Sequence, residues 1–164
     1  MAFTAGAQPA STPQTPGAQG KTVHFDGAST ATLVLQARGK GVQIYTCVKN
    51  AAWSWKLKAP QATLFDPDGK AIGKHFAGPT WRLTDGSEVQ GKLLKARQQP
   101  GTIPWLIVSA RSTGSEGRLS QVDIVRRTDT QGGSAPSTGC DAAHAGAEVR
   151  IPYSATYSFF DTKK

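Results

Sequence analysis

At 164 residues the chain is one domain long, and 38% hydrophobic against 18% charged residues excludes a disordered polymer. No run of about 18 apolar residues occurs, so no membrane-spanning helix is expected. The net charge of +8 invites a nucleic-acid partner. Against that, Lys and Arg are scattered singly, the longest runs being Arg126-Arg127 and Lys163-Lys164, with no basic helix, zinc finger or aromatic-basic ribonucleoprotein motif.

Residues 1–22 are rich in Ala, Gln, Thr, Pro and Gly and lack apolar periodicity. They read as a flexible leader ahead of a single β domain over 23–164. The leader has neither a basic n-region nor a continuous apolar stretch, so no signal peptide is expected within the chain as it stands. Thr32–Ala37 is predicted as a strand stopped at Arg38-Gly39-Lys40-Gly41. Val42–Cys47 alternates strictly, with Val42, Ile44 and Thr46 on one face and Gln43, Tyr45 and Cys47 on the other. Trp53–Lys58 alternates again, with Trp53, Trp55 and Leu57 as its apolar face. Ala62–Phe65 follows and ends at Asp66-Pro67-Asp68-Gly69, a tight turn.

Ala71–Phe76 is the next strand, broken by Gly78-Pro79. Thr80–Leu83 and Glu88–Leu93 flank Thr84-Asp85-Gly86-Ser87, an Asp-Gly hairpin signal. After a loop at Gln98–Gly101, the apolar run Trp105–Ala110 reads as a strand covered on both faces. Leu119–Arg126 reads as a further strand. Residues 130–147 are rich in Gly, Ser, Ala and Pro and form a long loop with one short helical turn over Asp141–His144. Val149–Phe159 closes the chain as an alternating strand. The fold class is therefore all-β, an antiparallel sandwich or flattened barrel of about eight to ten strands.

Cys47 and Cys140 are the two cysteines, far apart and in no CxxC pair, so zinc binding by these two alone is not expected. They read as a disulfide that would close a long loop and place the protein in an oxidising compartment. The alternative is two buried free thiols.

The strings GVQIYTC, AWSWKLKAPQATLFDPDGKAIGKHFAGPTW, DGSEVQG, IPWLIVSA and TQGGSAPSTGCDAAHAGAEVRIPYSATYSF resemble the domain-of-unknown-function family 3455 of bacteria and fungi, over roughly Thr32 to Phe160. The resemblance implies a small protein preceded by a secretion signal, hence a secreted or periplasmic one, and supports a Cys47–Cys140 bridge. It brings no activity with it.

Two constellations could carry chemistry. His75, His144 and Asp141, with Glu148 nearby, offer enough ligands for a Cu or Zn ion if the fold unites them. Asp141 and His144 would share one side of a helical turn. The competing reading has each histidine holding its own loop by hydrogen bonds to backbone. Aromatic residues are the second constellation, because tryptophans on a sheet face can serve a sugar ring or an apolar ligand. Trp55 and Trp105 read as core, whereas Trp81, beside the Gly78-Pro79 turn and His75, is the tryptophan expected to face a pocket. That pocket is expected where Lys74–Trp81 meets Asp141–Glu148. No GxSxG, P-loop, HExxH or dinucleotide-binding GxGxxG is present. The residues favour a ligand-binding or surface module for a small molecule or carbohydrate. The alternative is a Cu- or Zn-dependent enzyme or redox protein built on His75 and His144.

Overall fold

The computed structural model describes residues 21–27 and 30–164, so the expected leader over 1–22 falls almost wholly outside the described residues. Eight strands follow in chain order: β1 (Thr32–Lys49), β2 (Trp53–Phe65), β3 (Ala71–Phe76), β4 (Thr80–Leu83), β5 (Glu88–Gln99), β6 (Thr102–Ser112), β7 (Ile124–Gly132) and β8 (Glu148–Asp161). Each pairs antiparallel with its chain neighbour, and β8 returns to β1 to close a barrel. Closure removes the free edges of the sheet except where β2 and β5 extend beyond the short β3 and β4.

Ten apolar runs thus become eight strands, because two expected breaks are strand interior. β1 runs straight through Arg38–Gly41. Gly39 is there for close approach: a Cβ on it would lie 2.5 Å from the Tyr157 ring. β2 likewise joins Trp53–Lys58 to Ala62–Phe65, with a register shift opposite Ile44/Tyr45. The expected strand over Leu119–Arg126 begins only at Ile124. Leu119 and Val122 instead form a turn and point into the core, both essentially inaccessible.

The turns behave as their residues require. Gly69 and Gly86 adopt φ of 82° and 84°, conformations open to glycine. Asp66 Oδ1 accepts from the amides of Asp68 and Lys70. Asp85 accepts from Ser87 and from the Arg118 amide, which ties the β6–β7 connection under the barrel. One end of the barrel is therefore solid: Leu64, Leu83, Val89, Leu119, Val125 and Phe159 fill it.

The run Trp105–Ala110 is covered on both faces, as expected, by an unforeseen partner. Inside, Val108 joins the core. Outside, residues 24–26 strap the wall: Arg97 forks onto the Asp26 carboxylate, Arg126 donates to the His24 carbonyl, and Phe25 lies under the Arg97 guanidinium. Ile107, paired with Arg126 and Lys95, is 8% exposed beneath this strap.

Strand lengths shape the other end. β3 and β4 have six and four residues, against 13 for β2 and 12 for β5. β3 pairs only with Ala62–Phe65 of β2, and β4 only with Glu88–Gln90 of β5. Above the β3–β4 turn, no strand among the described residues lies between residues 53–61 and 92–99. The barrel wall has a lateral slot.

Over the top of this end runs the long loop 133–147. Cys47 of β1 is bonded to Cys140, Trp55 donates to the Thr138 carbonyl, and the Tyr45 hydroxyl donates to the Gly133 carbonyl. The expected helical turn is a 3-10 helix, Ala142–His144, capped by Asp141.

Candidate functional site

Along β1, alternation sends Gln43, Tyr45 and Cys47 inward, where they are buried, and leaves Val42 and Ile44 on the outer face. A strand that turns its amide and phenol inward builds an interior that is not purely core. β8 adds Tyr153 and Tyr157, so all three tyrosines of the chain line the inside. β3 and β4 supply His75 and Trp81 as cross-strand partners. Their rings stack at 4.5 Å between centroids and 9° between planes. Tyr157 leans on both rings, at 5.1 Å and 5.8 Å. On β5, Gly91 makes room for this stack: a Cβ there would stand 3.0 Å from Trp81.

Between this aromatic floor and the slot lies a cavity of roughly 460 Å³, within the range of small-molecule sites. Leu57, Pro60, Pro79, Leu93, Ile103 and Leu106 give it apolar walls. Leu57 and Leu93, 49% and 55% exposed, form an apolar lip at the opening. Lys58 stands at the same rim and is paired with Glu148.

His75 is buried, and its Nδ1 lies 2.8 Å from the Thr80 carbonyl oxygen. A carbonyl only accepts, so Nδ1 carries the proton and Nε2 keeps its lone pair. Burial pushes the His75 pKa down to about 3, only partly opposed by the Thr80 hydrogen bond, and the nearby Arg127 charge lowers it further. The ring is neutral near pH 7 and too weak a base to take up a proton there. Burial also raises the Tyr45, Tyr153 and Tyr157 phenols, which stay protonated. Tyr153 and Tyr157 share a hydrogen bond of 2.9 Å.

Arg127 projects from β7 into this interior, with 8% of its surface exposed. Its Nε and Nη2 donate to the Pro104 carbonyl at 3.0 and 2.8 Å. Two residues that line the cavity each carry a buried polar atom with no hydrogen-bond partner among the described residues: Trp81 Nε1, a donor, and Gln43 Oε1, an acceptor.

The family model for "Protein of unknown function (DUF3455)" matches residues 28–161. The chain belongs to the DUF3455 family. No curated protein and no solved structure matches it.

In this DUF3455 barrel the residues expected to share one site are divided between two places. His75 and Trp81 meet inside, and the Lys74–Trp81 segment does floor a cavity. Asp141 and His144 meet on the exposed 3-10 turn, where Asp141 Oδ1 accepts from His144 Nδ1 at 2.7 Å and the imidazole holds the carboxyl below its usual range. Neither lines the cavity, and Glu148 reaches its rim only through Lys58. The Cu or Zn site expected from His75, His144 and Asp141 does not assemble. One histidine is sealed in the barrel and the other lies on its surface, and among the described residues no three His, Cys, Asp or Glu side chains form a ligand set. The Cys47–Cys140 bridge is present as expected, with the Cα atoms 5.3 Å apart.

Sequence reasoning missed Arg127 and Gln43 as cavity residues of the DUF3455 fold, and reached Tyr45 and Tyr157 only as members of the aromatic constellation. A signal for β1 existed: its two faces are legible in GVQIYTC, but the apolar one turns out to be the outer one. For Arg127 the sequence shows a surface-like Arg126-Arg127 pair. Only the alternation of β7 across a closed barrel sends the second arginine inward.

Proposed function

We propose that the protein is an exported binding module whose barrel takes up a small, largely apolar molecule through the lateral slot. The observation that carries this reading is the cavity itself, apolar-walled, floored by stacked rings and reached beneath a hairpin too short to close the wall. Such an interior is the usual form of a small-molecule site: apolar surface for affinity and a few fixed polar groups for orientation. A carbohydrate suits it less well, because a sugar brings many hydroxyls that need partners and these walls offer few. The disulfide supports export, since such bridges persist in oxidising compartments, and the secretion signal that the family resemblance implies agrees with it. Among the described residues no helix is long and apolar enough to cross a membrane.

The test uses N-phenyl-1-naphthylamine, a neutral apolar dye that brightens on leaving water. The oxidised protein should bind it saturably, one molecule per chain. Ala59→Trp, which fills the slot from β2 without touching the packed end, should abolish uptake with the thermal midpoint retained. Dye binding that is absent, or indifferent to Ala59→Trp, would overturn the reading.

A further inference from the structure

Among the described residues Arg127 is the one charge in the deep part of the cavity, and none of them neutralises that charge. Its hydrogen-bonding partners are neutral groups, the Pro104 carbonyl and the Tyr157 hydroxyl. Among the described residues it forms no ion pair. No Asp or Glu among the described residues lines the cavity. The titratable groups that feel its charge are Tyr45, His75, Tyr153 and Tyr157. All four are neutral at pH 7, three as protonated phenols and one as an unprotonated ring. The other cation of the lining, Lys58 at the rim, already has Glu148. A guanidinium removed from water without a counter-ion is costly, and a protein that keeps one in an open cavity is suited to an anion. Guanidinium also matches carboxylate geometry better than any other side chain does.

We propose that the molecule taken up is an amphipathic monocarboxylate, its apolar body against the leucine-lined slot and its carboxylate on Arg127. This rests on the binding reading above and names the ligand class. The walls would accept an alkyl chain or a flat aromatic ring, and both present the same head group.

Displacement of N-phenyl-1-naphthylamine from the oxidised protein tests it, with decanoate, decanol and decylamine as one arm and 2-naphthoate against 2-naphthylmethanol as the other. The acid of each arm that binds should be at least about tenfold tighter than its alcohol, or about 1.4 kcal/mol, and decylamine weakest. The arm that binds more tightly tells a lipid-like chain from an aromatic acid. Arg127→Gln should bring acid and alcohol to parity while the dye still binds. Lys58→Gln, at the rim, should leave the preference intact. Should Arg127→Gln not fold, the wild-type acid-to-alcohol ratio decides alone. Equal affinity for acid and alcohol, or a preference lost in Lys58→Gln and kept in Arg127→Gln, overturns the carboxylate assignment and leaves the binding module standing. If neither dye nor any competitor binds, both fall together.

Discussion

His75 shows how one residue's surroundings set a property of the protein. Its ring is stacked on Trp81, tilted against Tyr157 and bonded through Nδ1 to a carbonyl, and it is almost wholly buried. The folded protein keeps it neutral down to about pH 3, whereas in the unfolded chain it protonates near 6.5, the ordinary value for histidine. Below that upper value the unfolded state therefore binds the extra proton, and acid favours unfolding. Its share of stability is fully present above pH 6.5 and drains away as pH falls towards 3. Urea titrations from pH 6 to pH 4.5 should show stability falling by about 1 kcal/mol per pH unit. In His75→Gln, whose amide can still donate to the Thr80 carbonyl, the slope over that interval should be much shallower. An unchanged slope would mean that the acid sensitivity originates elsewhere.

At the scale of elements, the loop 133–147 is held by what it touches on β1 and β2: a disulfide, the Tyr45 and Trp55 side-chain hydrogen bonds, and backbone bonds from Cys47 and Gly146. The bridge spans 93 positions of sequence, so its removal releases a large loop in the unfolded chain and should cost about 4.6 kcal/mol on the chain-entropy account. A Cys47→Ser/Cys140→Ser double variant, compared by urea unfolding, measures this. Since Gly133, the Tyr45 acceptor, starts the same loop, the variant should also bind the dye more weakly. A loss below about 1 kcal/mol would show that the other bonds hold the loop unaided.

Elements were also the level at which the sequence was most readable. Period-two alternation and turn residues placed the strands, the Asp-Gly hairpin and the 3-10 turn, because those signals are local. Arg38–Gly41 misled for a physical reason. Glycine signals a turn when the chain reverses, and it signals close approach when a ring lies against the strand, as Tyr157 does at Gly39. The two uses look alike without the partner strand. The site was half legible for the same reason. His75 and Trp81 are cross-strand neighbours joined by a short turn. By contrast, the approach of Arg127 to them depends on barrel closure, which no window of sequence contains. The metal set failed on that point too, since Asp141 to His144 is local and His75 to His144 is not.

The whole molecule is a meander, and seven of its eight strand pairings join neighbours in the chain. The eighth, between β1 and β8, has 14 paired positions, from Thr32 opposite Asp161 to Thr46 opposite Glu148. It brings together residues more than a hundred positions apart, and it carries Tyr157 to its seat against Gly39. Before that seam zips, the interior is an open sheet and the cavity has no far wall. Folding must therefore wait for the last strand to find the first, which makes it a high-contact-order process in the range of milliseconds to seconds. Stopped-flow refolding of the oxidised chain should show Trp81 fluorescence and near-ultraviolet ellipticity arriving together in that slow step. It follows that a nascent chain on the ribosome cannot acquire its pocket until synthesis has passed the final strand, however early its hairpins form.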